Sequence, residues 1–169
     1  ASGVRSTFAH CGCTNRKIHT GDLVIVDIGS SYEHYCSDMT RTIVAGKPSD
    51  KQAKIYEIVK TAEETAHRAI KIGTKCKDID QAARKTIQDA GYGPSFVHSL
   101  GHGVGLDIHE PPTLSAVSKD VLVAGNVVAI EPGIYLQDYG GVRIEDTVLV
   151  GRDRVEKLTS GPYTLEAEK

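Results

Sequence analysis

Three acidic residues follow runs rich in aliphatic side chains, and a fourth stands at hairpin spacing from the first. Asp27 closes Leu23-Val24-Ile25-Val26, and Asp38 follows eleven residues later. Glu131 comes after the apolar stretch Asn126–Ile130, and Glu145 after Val142-Arg143-Ile144. A carboxylate buried alone is costly unless it is paired or bound to a metal. A hairpin turning near Tyr32 gathers Asp27 and Asp38, because opposed residues of antiparallel strands lie roughly 4.5–5.5 Å apart. A second hairpin turning near Asp138 does the same for Glu131 and Glu145. Four carboxylates at one place repel one another and invite more than one cation.

His102, in Leu100-Gly101-His102-Gly103-Val104-Gly105, adds a nitrogen donor, and its glycines let backbone approach closely. One imidazole with four carboxylates suits two divalent ions, Mn²⁺ or Co²⁺, with Zn²⁺ or Fe²⁺ as alternatives. Two such ions roughly 3.5–4 Å apart polarise a carbonyl and share a hydroxide nucleophile. Each residue alone has a plainer reading: a strand Asp at a turn or surface, a structural His, a glycine stretch lacking the lysine of a P-loop. Their joint occurrence at compatible spacing points to the metal.

These groups need a scaffold. Gly21-Asp22 reads as a turn and Leu23–Gly29 as a strand buried on both faces. A second strand runs from about Tyr35 to Val44, and Gly46–Asp50 breaks the pattern. Asp50 sits where a helix N-cap is wanted. Ala53, Tyr56, Val59, Ala62, Ala66, Ala69 and Ile70 then recur at helical spacing up to a stop at Gly73. A second helix runs from about Asp78 to Ala90, with Ile79, Ala82, Ala83 and Ile87 on one face and Gly91 ending it. The remainder reads as β: near Ser95–Leu100, then Val127–Leu136 and Val142–Val150 about a turn at Asp138–Gly141. Helices grouped apart from mainly antiparallel strands indicate an α+β domain, and no linker divides residues 1–169. The hairpin with Asp27 and Asp38 echoes the one with Glu131 and Glu145, but helices precede only the second.

A net charge of −2 argues against a nucleic-acid binder. No apolar run approaches the roughly 18 residues that span a bilayer, and no basic-then-apolar leader opens the chain. A soluble, cytoplasmic protein is the expectation, with no membrane partner. Aromatic residues make up 5%, with no tryptophan, so aliphatic side chains must fill the core. Cys11, Cys13, Cys36 and Cys76 lack a zinc-finger rhythm and read as reduced structural thiols.

Five stretches carry a family resemblance: Val26-Asp27-Ile28-Gly29, Ser37–Thr42, His98–Glu110, Glu131-Pro132-Gly133-Ile134-Tyr135 and Val142-Arg143-Ile144-Glu145-Asp146. In type and order they resemble the "pita-bread" metallopeptidases, the M24-type group of methionine aminopeptidases, Xaa-Pro aminopeptidases and prolidases. The resemblance implies a pseudo-twofold α+β fold with a mainly antiparallel sheet and helices outside. It implies that Asp27 holds one metal, that Asp38 and Glu145 bridge both, and that His102 and Glu131 hold the other. Glu131 would also shuttle the proton as a metal-bridging hydroxide attacks the scissile carbonyl. His98 and His109 match histidines that line the site and stabilise the oxyanion, and His10 one that contacts substrate or leaving group. Arg143 resembles a substrate-site arginine of the Xaa-Pro branch, whereas His19, His34 and His67 match no family site.

Val142–Asp146, Glu131–Tyr135 and Asp107–Pro112 look like the Xaa-Pro branch, so a peptide with proline at its second position is the expected substrate. Family members carry further helices before the equivalent of Ala1, and the Xaa-Pro branch also a separate N-terminal domain. The resemblance therefore implies an N-terminally truncated C-terminal catalytic domain, working as a homodimer or with another chain supplying the missing part. Rival readings are a methionine aminopeptidase-like enzyme, a pita-bread module that binds without catalysis, and a metal-free hydrolase like creatinase.

Overall fold

Residues 23–44 form one antiparallel hairpin in the computed structural model, which describes residues 1–166. Strand β1 (Leu23–Tyr32) pairs with β2 (Tyr35–Val44) in unbroken register, from Leu23 opposite Val44 to Tyr32 opposite Tyr35. The two turn residues, Glu33 and His34, both have positive φ, 48° and 68°. That is the turn geometry whose twist matches the flanking strands. Burial of β1 is one-sided, contrary to the expectation of cover on both faces. Leu23 and Ile25 are buried, on the face that continues to Asp27, whereas Val26 and Ile28 on the other are 39% and 54% exposed.

Helix α1 (Asp50–Ala69) begins from Ser49 rather than Asp50. The Ser49 hydroxyl accepts from the Gln52 amide at 3.3 Å, and the Gln52 side chain accepts from the Ser49 amide at 2.8 Å. This reciprocal pair satisfies two otherwise orphaned donors. Asp50 becomes the first helical residue, where its charge suits the helix dipole. Helix α2 (Cys76–Asp89) starts two residues before Asp78, because the Cys76 amide is held by the Asp120 carbonyl at 3.0 Å. Ile55, Val59 and Ala62 of α1 and Ile79, Ala83 and Ile87 of α2 pack into one core with Val128, Ile130, Val142, Ile144 and Val148.

The second half is β3 (Gly101–Gly103), β4 (Glu110–Leu114), β5 (Val127–Ile130), β6 (Gly133–Leu136), β7 (Gly140–Arg143), β8 (Asp146–Val150) and β9 (Val155–Lys157). Five of these make an antiparallel sheet in the order β4-β3-β5-β8-β9, and β6 pairs with β7 apart from it. The segment near Ser95–Leu100 is not a strand. It is a 3₁₀ turn at Gly93–Ser95 followed by irregular chain, held by Arg84 through the Phe96 and His98 carbonyls. The expected strands Val127–Leu136 and Val142–Val150 are each interrupted midway, where Pro132 lacks an amide donor. Register survives the interruption: Ile130 faces Asp146 and Gly133 faces Arg143, so Glu131 and Glu145 lie opposite each other within it.

The two hairpins are joined through β2. The Glu145 amide donates to the Thr40 carbonyl at 3.0 Å, and the Thr42 hydroxyl bonds both the Arg143 carbonyl (2.8 Å) and amide (3.0 Å). The Thr147 hydroxyl donates to the Asp38 carbonyl at 2.7 Å. Among the described residues, no helix is long and apolar enough to cross a membrane.

Candidate metal centre

Each acid is delivered by backbone geometry. Register in the first hairpin sets Asp27 opposite Thr40 and Asp38 opposite Gly29. The two acids are therefore diagonal neighbours on one face, not the directly opposed pair expected from their spacing. His102 is placed by close strand contact. A Cβ at Gly101 would lie 1.9 Å from the Ala129 carbonyl oxygen, and one at Gly103 would lie 2.5 Å from that of Pro111. Glycine on both sides thus lets β3 seat tightly between β4 and β5, fixing the one side chain between them.

Asp38, His102 and Glu145 each bring a donor atom to a cluster whose members lie within 4.8 Å of one another. His102 Nε2 is 3.8 Å from Asp38 Oδ2 and 3.6 Å from Glu131 Oε1. Its Nδ1 lies 3.0 Å from the Gly103 carbonyl, which accepts only if Nδ1 carries the proton. The Nε2 lone pair then points at carboxylates, the tautomer a metal-binding imidazole needs. Glu145 Oε2 accepts from the Thr40 hydroxyl at 2.6 Å, but Oε1 is buried without a partner. A cavity of about 310 Å³ opens over the cluster; Asp27, Asp38, Glu131 and Glu145 line it with His102, and His10, His109 and Ile108 stand around it.

Burial and mutual repulsion push three of these acids toward their protonated forms. Burial, then the neighbouring Asp27 charge, raises Asp38 to about 6. Burial raises Glu131 to about 8 despite Arg143, with Asp38 and Asp27 adding to the rise. Glu145 is pushed well above the ordinary carboxylate range by burial and by Glu131 and Asp38. His102 is lowered, chiefly by burial, and so kept neutral. An orphaned carboxylate oxygen, an imidazole lone pair facing acids and three raised carboxyls are all relieved by divalent cations. The donors present fit such ions.

Arg143 is 2% exposed and sits behind the acids. It donates to Asp27 Oδ2 at 2.6 Å, to the Ala9 carbonyl at 2.9 Å, to the Tyr135 hydroxyl at 3.0 Å and to the Thr40 hydroxyl at 3.3 Å. Burial opposes its charge, yet Tyr135, Asp27 and Glu131 hold it above the usual arginine value. An open substrate-binding arginine is therefore not what this structure presents.

His98 does not line the cavity with the acids. Its Nδ1 meets the Ser99 carbonyl at 2.7 Å and its Nε2 the Tyr135 hydroxyl at 2.9 Å, and burial lowers it to about 4. Neutral His98 thus accepts from Tyr135, which accepts from Arg143. Tyr135 was not singled out by the sequence, although Gly133, where a Cβ would come 2.7 Å from the phenol oxygen, marks the space it occupies. The His109 ring stands edge-on to His102, centroids 4.1 Å apart, and His10 is exposed at the rim. His34 lies in the first hairpin's turn, His19 is exposed near Arg16, and His67 is on α1, all outside the cluster.

Residues 1–152 match the family described as Metallopeptidase family M24. The Xaa-Pro dipeptidase of Pyrococcus furiosus is 52% identical over 159 residues, which cover 94% of this chain and 46% of that protein. The solved prolidase from Pyrococcus furiosus superposes with a TM-score of 0.94 at 51% identity, covering 96% of this chain and 48% of that one. The X-Pro aminopeptidase from Thermotoga maritima does so with a TM-score of 0.95 at 40% identity, covering 98% and 47%. The chain spans about half the length of the relatives it matches.

Proposed function

Because the chain belongs to metallopeptidase family M24 and has its α+β pita-bread fold, we propose that it carries the dinuclear metal centre of a peptidase that hydrolyses N-terminal Xaa-Pro bonds. One observation carries the metal reading: Asp38, His102 and Glu145 converge while a buried Glu145 oxygen has no protein partner. Asp27, Asp38, His102, Glu131 and Glu145 would hold the two ions, and an oxygen-rich set with one imidazole suits Mn²⁺ or Co²⁺. Bound there, the ions supply Lewis acidity to the scissile carbonyl and lower the pKa of a water.

The chain's own residues do the rest. Glu131, which lines the cavity beside the other acids, would take a proton from that water and hand it to the leaving proline nitrogen. That nitrogen belongs to a tertiary amide with no N–H of its own. His109 and His10 stand at the cavity as donors to the substrate carbonyl. Arg143 acts through Asp27, which it orients, and through Tyr135, which holds His98. Residues 1–169 form the C-terminal catalytic domain in this reading. Its partner is a second copy or another chain against the open face of β1, and its place of work is the cytoplasm, which suits four unpaired thiols.

The test is incubation of the protein with Mn²⁺ or Co²⁺ and an Xaa-Pro dipeptide. Free proline should appear, and Asp38→Ala should reduce its release by at least roughly 100-fold. No hydrolysis with any divalent metal, or undiminished activity in Asp38→Ala, overturns the reading.

A further inference from the structure

Asp38 and Glu145 approach each other from different hairpins, so something must hold those hairpins in step. Three consecutive residues do so on the second hairpin. Glu145 is bonded to Thr40 through both its amide and its carboxylate, and Thr147 caps the Asp38 carbonyl. Between them Asp146, with no exposed surface, turns away from the cavity and accepts four donors. Arg41 and Thr159 reach one oxygen, Lys157 and Tyr163 the other.

Arg41 is the hub of this arrangement. One guanidinium nitrogen donates to the Thr40 carbonyl at 2.9 Å and to the Glu145 carbonyl at 2.7 Å. The other terminal nitrogen donates to Asp146 Oδ1 at 2.8 Å and to the Gly161 carbonyl at 3.0 Å. The Tyr163 ring covers the guanidinium carbon at 4.4 Å, leaving Arg41 8% exposed. A single planar fork therefore spans β2, the Glu145 peptide, Asp146 and the Gly161 carbonyl. Lysine has the charge but not the geometry for four such acceptors.

We propose that Arg41 and Asp146 are positioning residues for Glu145, a buried ion pair that locks the two hairpins so that the carboxylates of Asp38 and Glu145 share one metal centre. The inference rests on the metal-centre reading above. Neither residue lines the cavity; both act through the Glu145 backbone.

The test is titration of Co²⁺ into the metal-free protein, followed by calorimetry and by the visible absorption of the bound ion, with thermal melts in parallel. Arg41→Lys and Asp146→Asn should each weaken Co²⁺ binding by at least tenfold and alter the cobalt spectrum. Ile87→Val, a core truncation on α2, should lower the melting temperature and leave affinity within twofold and the spectrum unchanged. If the wild-type protein binds no Co²⁺, the metal-centre reading itself fails, and this inference with it. If the wild type binds and the two variants match it in affinity and spectrum, the ion pair is only structural and the proposal falls. Should Arg41→Lys fail to fold, Asp146→Asn decides by the same readout. Loss of folding in both variants, with Co²⁺ binding intact in Ile87→Val, is resolved by Arg41→Gln, and native cobalt binding there overturns the proposal.

Discussion

Asp38 at about 6 and Glu131 at about 8 hold protons that the same side chains would shed in an unfolded chain. Unfolded carboxyls titrate near about 4. Between that value and the folded ones, the folded chain binds more protons than the unfolded chain. The sign follows: stability of the metal-free protein falls as pH rises from about 4 through about 8. Denaturant melts in EDTA at pH 5 and pH 8 should show it, and Glu131→Gln should flatten the upper part of the slope. A metal-free protein equally stable at both would mean that the acids are not confined as described. Metal uptake must also expel those protons. Calorimetric titrations near pH 6.5 in buffers of different ionisation enthalpy should therefore report proton release, smaller in Glu131→Gln.

The elements that hold these residues make their own demands. Ala129 leaves no room for a Cβ on Gly101, so Gly101→Ala should cost at least about 3 kcal/mol by forcing β3 off β5. Gly12→Ala, with nothing near the added carbon, should change stability by less than about 0.5 kcal/mol. The β1–β2 turn offers the opposite lever, since Glu33 is not a residue that favours its positive φ and glycine suits the position of His34 better still. Glu33→Asn with His34→Gly should gain about 1 kcal/mol in denaturant melts and leave metal binding unaltered. What the sequence disclosed at this scale follows from where each signal resides. A carboxylate at the end of an aliphatic run stands out by type, which made Asp27, Glu131 and Glu145 legible, and Asp38 was legible from its hairpin spacing to Asp27. Helices with apolar residues at turn spacing were equally so. Hydrogen bonds spanning about a hundred residues leave no local trace, and this hid Thr40, Arg41 and Thr147. The interruption at Pro132 has a marker, whereas the matching one at Ile144-Glu145 has none because its cause lies in the partner strand. Burial of β1 on one face only was illegible for a related reason: a strand's pattern does not say what covers it.

At the scale of the molecule, the proposed metal centre would join the parts of the fold. Asp27 and Asp38 belong to one hairpin, Glu131 and Glu145 to the other, and His102 to the sheet that α1 and α2 cover. Ions bound by all five, as proposed, would touch every one of these parts and would bind only the folded state. Mass action then fixes the size of the effect: divalent metal at about 100 times its dissociation constant stabilises the fold by about 2.7 kcal/mol. For a chain of this length that corresponds to a rise of roughly 5–11 °C in melting temperature. Thermal melts with Mn²⁺ or Co²⁺ should show the rise, and EDTA should reverse it. Asp38→Ala with Glu145→Ala removes one acid from each hairpin, and that double variant should melt at one temperature with or without metal. A metal-induced rise of the same size in the double variant would place the bound ion elsewhere in the molecule. The acids would then be holding the hairpins together by shared protons alone, which the fall in stability toward pH 8 would expose independently.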